Sequence, residues 1–108
     1  KLFGDSYNQF WLAPASEKPP NGESFLEVLG RVQACVRELT LKFKGEDIIC
    51  VSHGGPIRAA LALALGLTGD QVMAFSIDNL STTVIDYMHP ENGFDGGWRV
   101  RGTNLPSV

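Results

Sequence analysis

The feature that most constrains the fold of this chain is the segment of residues 48–58, which reads Ile-Ile-Cys-Val-Ser-His-Gly-Gly-Pro-Ile-Arg. Four apolar or small residues in a row are typical of a strand that is covered on both faces. Pro56 suits the first turn of a helix, where its missing N–H is not needed. The sequence therefore predicts a buried strand that ends at His53, directly before a helix.

The junction between this strand and helix is a candidate ligand site. Gly54 and Gly55 are expected to let the backbone turn sharply and approach a ligand closely. The unpaired N–H groups and the positive dipole end of the helix would then face whatever lies against His53. Such a helix start favours an anion, for example a phosphoryl group. The structural alternative is a core histidine that bonds a backbone carbonyl at the end of a strand.

The apolar pattern around this junction predicts two helices. Ser24 and Glu27 form the Ser-x-x-Glu pattern of a capping box, so a helix of about twenty residues should start there and end near Gly45. Its apolar stripe is Phe25, Val28, Leu29, Val32, Val36, Leu39 and Phe43. A second helix is expected over residues 56–65, apolar on nearly all sides and stopped by Gly66.

Further along, β-branched and aromatic residues predict strands at 74–77, 82–88 and 98–101. Asn92-Gly93 and Gly96-Gly97 are expected to form the turn before the last of these. We therefore expect an α/β fold with a mixed, mostly parallel sheet and helices on both faces. In such sheets ligands bind beyond the carboxyl ends of the strands, which is where His53 falls.

Several motifs occur together in a characteristic order. They are Pro-Pro-Asn-Gly-Glu-Ser at 19–24, Val-Ser-His-Gly-Gly-Pro-Ile-Arg at 51–58, Phe-Ser-Ile-Asp-Asn-Leu-Ser-Thr-Thr-Val-Ile at 75–85, and a closing run from Trp98 to Asn104. In this order the chain resembles, from about residue 7, the C-terminal half of the histidine phosphatase superfamily, the phosphoglycerate mutase-like proteins. The resemblance implies phosphomonoester hydrolysis or phosphoryl transfer through a phosphohistidine, without a metal or other cofactor.

The resemblance also assigns roles to residues. His53 would be the second, phosphate-binding histidine, while the nucleophile would lie in an Arg-His-Gly motif. This sequence contains no Arg-His pair, and its two histidines are His53 and His89. We therefore expect residues 1–108 to be the C-terminal part of a single histidine phosphatase domain. Its partner would be the N-terminal half of the same domain, and the chain alone should be inactive.

Three further polar residues are candidates for the pocket or its surroundings. Glu23 lies just before a helix, where a carboxylate is also stabilised for structural reasons. Ser81 falls in a turn, and serine commonly serves the turn itself. Arg58 is conceivable as a phosphate clamp, but an arginine in such a helix more often pairs with a nearby acid at the surface.

Composition limits the class of partner. The net charge is −3 and the nine Lys and Arg residues are scattered, which argues against a nucleic-acid surface. No apolar run approaches the roughly 18 residues that a membrane span needs. A small phosphorylated metabolite is the expected partner. Phe94 and Trp98 fit either a core or a homodimer contact.

The two cysteines bear on the compartment. Cys35 and Cys50 fall where the pattern predicts apolar faces, and without a disulfide framework or metal-ligand spacing they are interpreted as small core residues. Free thiols are typical of a reducing compartment, so a cytoplasmic location is expected.

Two other function classes are alternatives to the phosphatase hypothesis. A His-Gly-Gly run after a strand also supplies the oxyanion hole of some esterases, but those enzymes need a Gly-x-Ser-x-Gly motif, which this sequence lacks. The other alternative is a non-catalytic binding or assembly module that keeps the fold without the nucleophile.

Overall fold

The computed structural model describes residues 24–107. Three helices and a hairpin follow one another: α1 (Phe25–Lys42), α2 (Gly54–Leu65), α3 (Gly69–Val72), β1 (Thr82–Met88) and β2 (Gly97–Leu105). α2 is central, since it packs against α1, α3 and both strands. Helices packed on a sheet confirm the predicted α/β class.

The start of α1 is fixed by the predicted capping box. The backbone N–H of Glu27 donates to Ser24 Oγ at 3.2 Å, and the Ser24 N–H donates to Glu27 Oε1 at 3.0 Å. Two otherwise unpaired N–H groups are thereby satisfied. The helix ends at Lys42, slightly before the predicted end near Gly45.

α2 begins at Gly54 rather than at Pro56, and His53 is its N-cap. It ends as predicted at Gly66, which has φ 67° and ψ 34°. This left-handed conformation suits glycine because it has no Cβ. None of the helices among residues 24–107 combines the length and the apolar character required to cross a membrane.

The core lies where the three helices meet. Its fully or almost fully buried side chains are Phe25, Ala59, Leu61, Ala62 and Val72. Small alanines on α2 let α1 approach closely, and Gln33 of α1 donates from Nε2 to the Ala59 carbonyl at 3.2 Å. Half-buried side chains of the hairpin, including Ile85 and Val100, extend this core.

The hairpin follows the predicted turn. β1 and β2 are antiparallel, with Ile85 opposite Val100 and Tyr87 opposite Trp98. Gly93, at φ 85°, occupies the turn beyond the strands. β2 is longer than the predicted 98–101. These two strands form the only sheet among the described residues, so the mostly parallel arrangement stays a prediction.

The predicted buried strand before His53 is wrong for the described residues. Residues 47–53 have no regular structure, and the side chains of Ile49 and Val51 are 92% and 99% exposed. A central parallel strand needs neighbouring strands to pair its backbone groups. Among residues 24–107 the only other strands pair with each other, so this segment has no ladder to join.

Two smaller expectations are also wrong. Residues 74–77 form turn and irregular backbone instead of a strand, because the N–H groups of Ala74 and Phe75 bond the carbonyls that end α3. Cys35 and Cys50 are exposed and not in the core. Cys35 lies on the outer side of α1, and Cys50 lies in the unpaired segment before His53.

Candidate active site

His53 occupies the junction that the sequence indicated. Its φ of −138° and ψ of −176° are extended, and its carbonyl accepts the first bond of α2, from the Ile57 N–H at 3.1 Å. The side chain makes no capping hydrogen bond and the residue is exposed. The imidazole is therefore not engaged in holding the helix start.

Two backbone N–H groups, those of Gly54 and Gly55, lie next to His53 in the chain. Because the Ile57 N–H makes the first bond of the helix, the N–H groups of Gly54 and Gly55 have no partner within it. Pro56 between them and Ile57 has no N–H. Within residues 24–107, two N–H donors thus lie unpaired at the positive end of the α2 dipole, which favours an anion.

Gly54 and Gly55 do not adopt a backbone conformation that requires glycine. Their lack of a side chain affects the space at the start of α2. Both belong to the helix, and neither has a positive φ, so the sharp turn expected from them is not needed. Among residues 24–107, a Cβ at Gly55 would meet no neighbouring atom within 4 Å, while a Cβ at Gly54 would lie 2.9 Å from Arg58 Nη1. The space beside Gly54 is therefore occupied by the Arg58 side chain, whereas none of the described residues occupies the space beside Gly55.

Arg58 is bound differently from the surface ion pair that the sequence suggested. Its Nε donates to the carbonyl oxygen of Phe75 at 2.9 Å. Burial lowers the pKa of the Arg58 guanidinium from its ordinary value, because the charged form loses part of its hydration. Arginine nevertheless stays charged at neutral pH, so a positive charge is held at the start of α2.

The sequence signal for this arrangement is the spacing. Arg58 follows Gly54 by four positions, and long helical side chains point back toward the N-terminus over the residue one turn earlier. What spacing does not reveal is the acceptor, since Phe75 is 17 positions away.

The remaining predicted residues fall elsewhere. Glu23 lies outside the described residues. Ser81 serves its own turn, since its Oγ donates to the Asp78 carbonyl at 2.7 Å. Asn104 fixes the same turn by accepting from the Asp78 N–H at 2.7 Å and donating to its carboxylate at 3.2 Å. The structure therefore brings together His53, Gly54, Gly55 and Arg58, and gives Ser81 a structural role.

His53 is exposed, and it does not line either of two concavities found among the described residues. One, of about 210 Å³, is lined by Arg37, Thr40, Leu41, Tyr87 and Trp98, and the other, of about 280 Å³, lies beside residues 43–49. Residues 24–107 contain no group of three or more His, Cys, Asp or Glu side chains that could hold a metal ion. The chemistry available at the start of α2 is thus anion binding by N–H donors, an imidazole and a guanidinium.

Comparison with known proteins identifies a matching family and several relatives. A sequence model of the histidine phosphatase superfamily (branch 1) matches residues 1–102. The chain is 33% identical over 75 residues to a phosphoglycerate mutase of Schizosaccharomyces pombe, a match that covers 68% of this chain and 36% of that protein.

Two other relatives are similar at comparable identity. A phosphoserine phosphatase of Hydrogenobacter thermophilus is 33% identical over 64 residues, covering 59% of this chain and 30% of the relative. A bifunctional protein of Mycobacterium tuberculosis is 32% identical over 77 residues, covering 71% of this chain and 21% of its own length. The matches therefore span between a fifth and just over a third of these relatives.

Proposed function

The chain belongs to the histidine phosphatase superfamily, and from this membership we propose that the complete protein hydrolyses or transfers the phosphoryl group of small phosphorylated metabolites. Relatives named as a phosphoglycerate mutase and a phosphoserine phosphatase support phosphatase or mutase chemistry in general. The unpaired N–H groups of Gly54 and Gly55 beside His53 are the observation that carries the proposal.

In the proposed reaction, a nucleophilic histidine outside this chain attacks phosphorus, and the bond to the leaving oxygen breaks as that oxygen takes up a proton. Water then attacks the phosphohistidine and releases phosphate, or an acceptor hydroxyl takes the group in a mutase. His53 in its charged form donates a hydrogen bond to a phosphoryl oxygen. This donor stabilises the negative charge that develops on the transferring group.

We also propose that the chain works as the C-terminal part of one domain. Support comes from residues 47–53, where Ile49 and Val51 are almost fully exposed although their sequence is that of a covered strand. Pairing with strands from the N-terminal half would cover these side chains and would bring the nucleophile toward His53. The chain alone is then inactive. The cytoplasmic location and a homodimer stay predictions.

The two histidines of the chain provide a matched experiment. In the complete protein, His53→Ala should lower the turnover of p-nitrophenyl phosphate by about a hundredfold or more, as expected for loss of one transition-state donor. His89→Ala is the control, because the His89 ring packs edge-on against Tyr87 of the hairpin. Its turnover should stay within about twofold of the parent. Full activity of His53→Ala would refute the role given to His53.

A further inference from the structure

Arg58 connects two segments that meet at the start of α2. Its Nε–H donates a 2.9 Å hydrogen bond to the carbonyl oxygen of Phe75, in the segment that follows α3. The same guanidinium lies over Gly54, since a Cβ at that position would stand 2.9 Å from Nη1. That distance is shorter than van der Waals contact, so glycine at position 54 leaves the room that the guanidinium occupies.

The charge of this side chain is unusual for its position. A cation at the positive end of a helix dipole is unfavourable unless an anion lies nearby. The first turn of α2 contains no acidic residue, whereas α1 has Glu27 and α3 has Asp70 in their first turns. Within residues 24–107 the hydrogen bond of Arg58 goes to a carbonyl, not to a carboxylate. An anion bound at this helix start would therefore offset the repulsion between the guanidinium and the helix dipole.

We propose that Arg58 is a positioning residue for the phosphate site, an inference that rests on the function proposed above. By tying the Phe75 segment to Gly54, the guanidinium fixes the backbone that carries His53 and the two unpaired N–H groups. It thereby sets the direction from which these donors reach a phosphoryl group. Misplacement of such groups by about 1 Å can cost a hundredfold in rate.

The test uses three variants of the complete protein: Arg58→Lys, Arg58→Gln and, as a control for removal of an exposed charge, Arg37→Gln. Lysine keeps the charge but lacks the planar fork that reaches Phe75 and covers Gly54 together. Both Arg58 variants should lower kcat for p-nitrophenyl phosphate about tenfold or more, with KM changed less than about threefold. Arg37→Gln should behave like the parent. Parental kcat in Arg58→Lys would overturn the proposal, because charge alone would then suffice.

A double-mutant cycle separates positioning from a general loss of stability. Gly54→Ala keeps Arg58 but places a methyl group 2.9 Å from Nη1, so the guanidinium must shift. It should therefore also lower kcat about tenfold. Combined with Arg58→Gln, the total loss should stay near tenfold, since both changes disturb one contact. A loss near a hundredfold would show that the two residues act independently and would overturn the proposal. Gly54→Ala also serves if Arg58→Gln does not fold, with parental kcat as the contradicting result.

Failure of this inference is distinguishable from failure of the proposed function. If His53→Ala is inactive while the Arg58 variants keep parental kcat, the phosphate role of His53 stands and the positioning role falls. If His53→Ala is fully active, the proposed site itself is wrong.

Discussion

Replacement of Gly55 by alanine should improve stability and impair anion binding at the same time. Gly55 is in the first turn of α2 and its φ is not positive, and within the described part of the chain an added Cβ would meet no neighbouring atom within 4 Å. Glycine costs about 0.5–1 kcal/mol relative to alanine within a helix. Gly55→Ala should therefore raise the free energy of unfolding by up to about 1 kcal/mol, measured by urea denaturation of the complete protein.

The weaker anion binding of the Gly55 variants is measured with phosphate present. None of residues 24–107 fills the space beside Gly55, and this space adjoins the N–H groups to which the proposed anion would bind. A side chain there would keep the anion from at least one of these donors, and a hydrogen bond to a charged group contributes about 1.5 kcal/mol or more. Gly55→Leu should accordingly raise the inhibition constant of inorganic phosphate about tenfold, with a smaller increase for Gly55→Ala.

Gly30 provides the matched control. It lies within α1, and a Cβ there would also meet no neighbouring atom of the described residues within 4 Å. Gly30→Ala should give a similar gain in the free energy of unfolding, by about 1 kcal/mol, and leave inhibition by phosphate unchanged. If Gly55→Leu also leaves phosphate inhibition unchanged, position 55 does not face the anion and the site drawn at the start of α2 is wrong.

Two further predictions concern stability. Ser24→Ala removes the oxygen that accepts from the Glu27 N–H at 3.2 Å, so the free energy of unfolding should fall by about 1 kcal/mol; an unchanged urea midpoint would contradict the importance of this cap. Leu61→Ala should cost about 2–5 kcal/mol because Leu61 is fully buried. Leu65→Ala in the same helix is its control, since Leu65 is 43% exposed, and should cost less than about 1 kcal/mol. Equal losses for the two leucines would contradict the position of the core.

The elements that could be predicted from the sequence are those set by local chemistry. A capping box, a left-handed glycine and an Asn-Gly turn act over a few residues, so α1, the end of α2 and the hairpin turn follow from short patterns. α3 was not predicted, although Thr68 and Gln71 form the same kind of capping box. Its signal was present, but a helix of 4 residues has no apolar period to support it.

The features that could not be predicted from the sequence depend on residues that lie far apart along the chain. A run such as residues 48–51 has the composition of a buried strand, but strand formation requires a neighbouring backbone that no local pattern provides. For the candidate site, His53, Gly54 and Gly55 are adjacent in sequence and could be proposed directly. The acceptor of Arg58 and the turn role of Ser81 required the tertiary structure, because they depend on where Phe75 and Asp78 lie.

The central claim is that His53 holds the transferring phosphoryl group and does not accept it. It is tested most directly by quenching the complete protein during turnover of a ³²P-labelled phosphomonoester and mapping the acid-labile phosphate to a peptide. The label should appear on a histidine other than His53 and His89, at a rate that His53→Ala reduces about a hundredfold or more. Label on His53 itself, or labelling at an unchanged rate in His53→Ala, would contradict it.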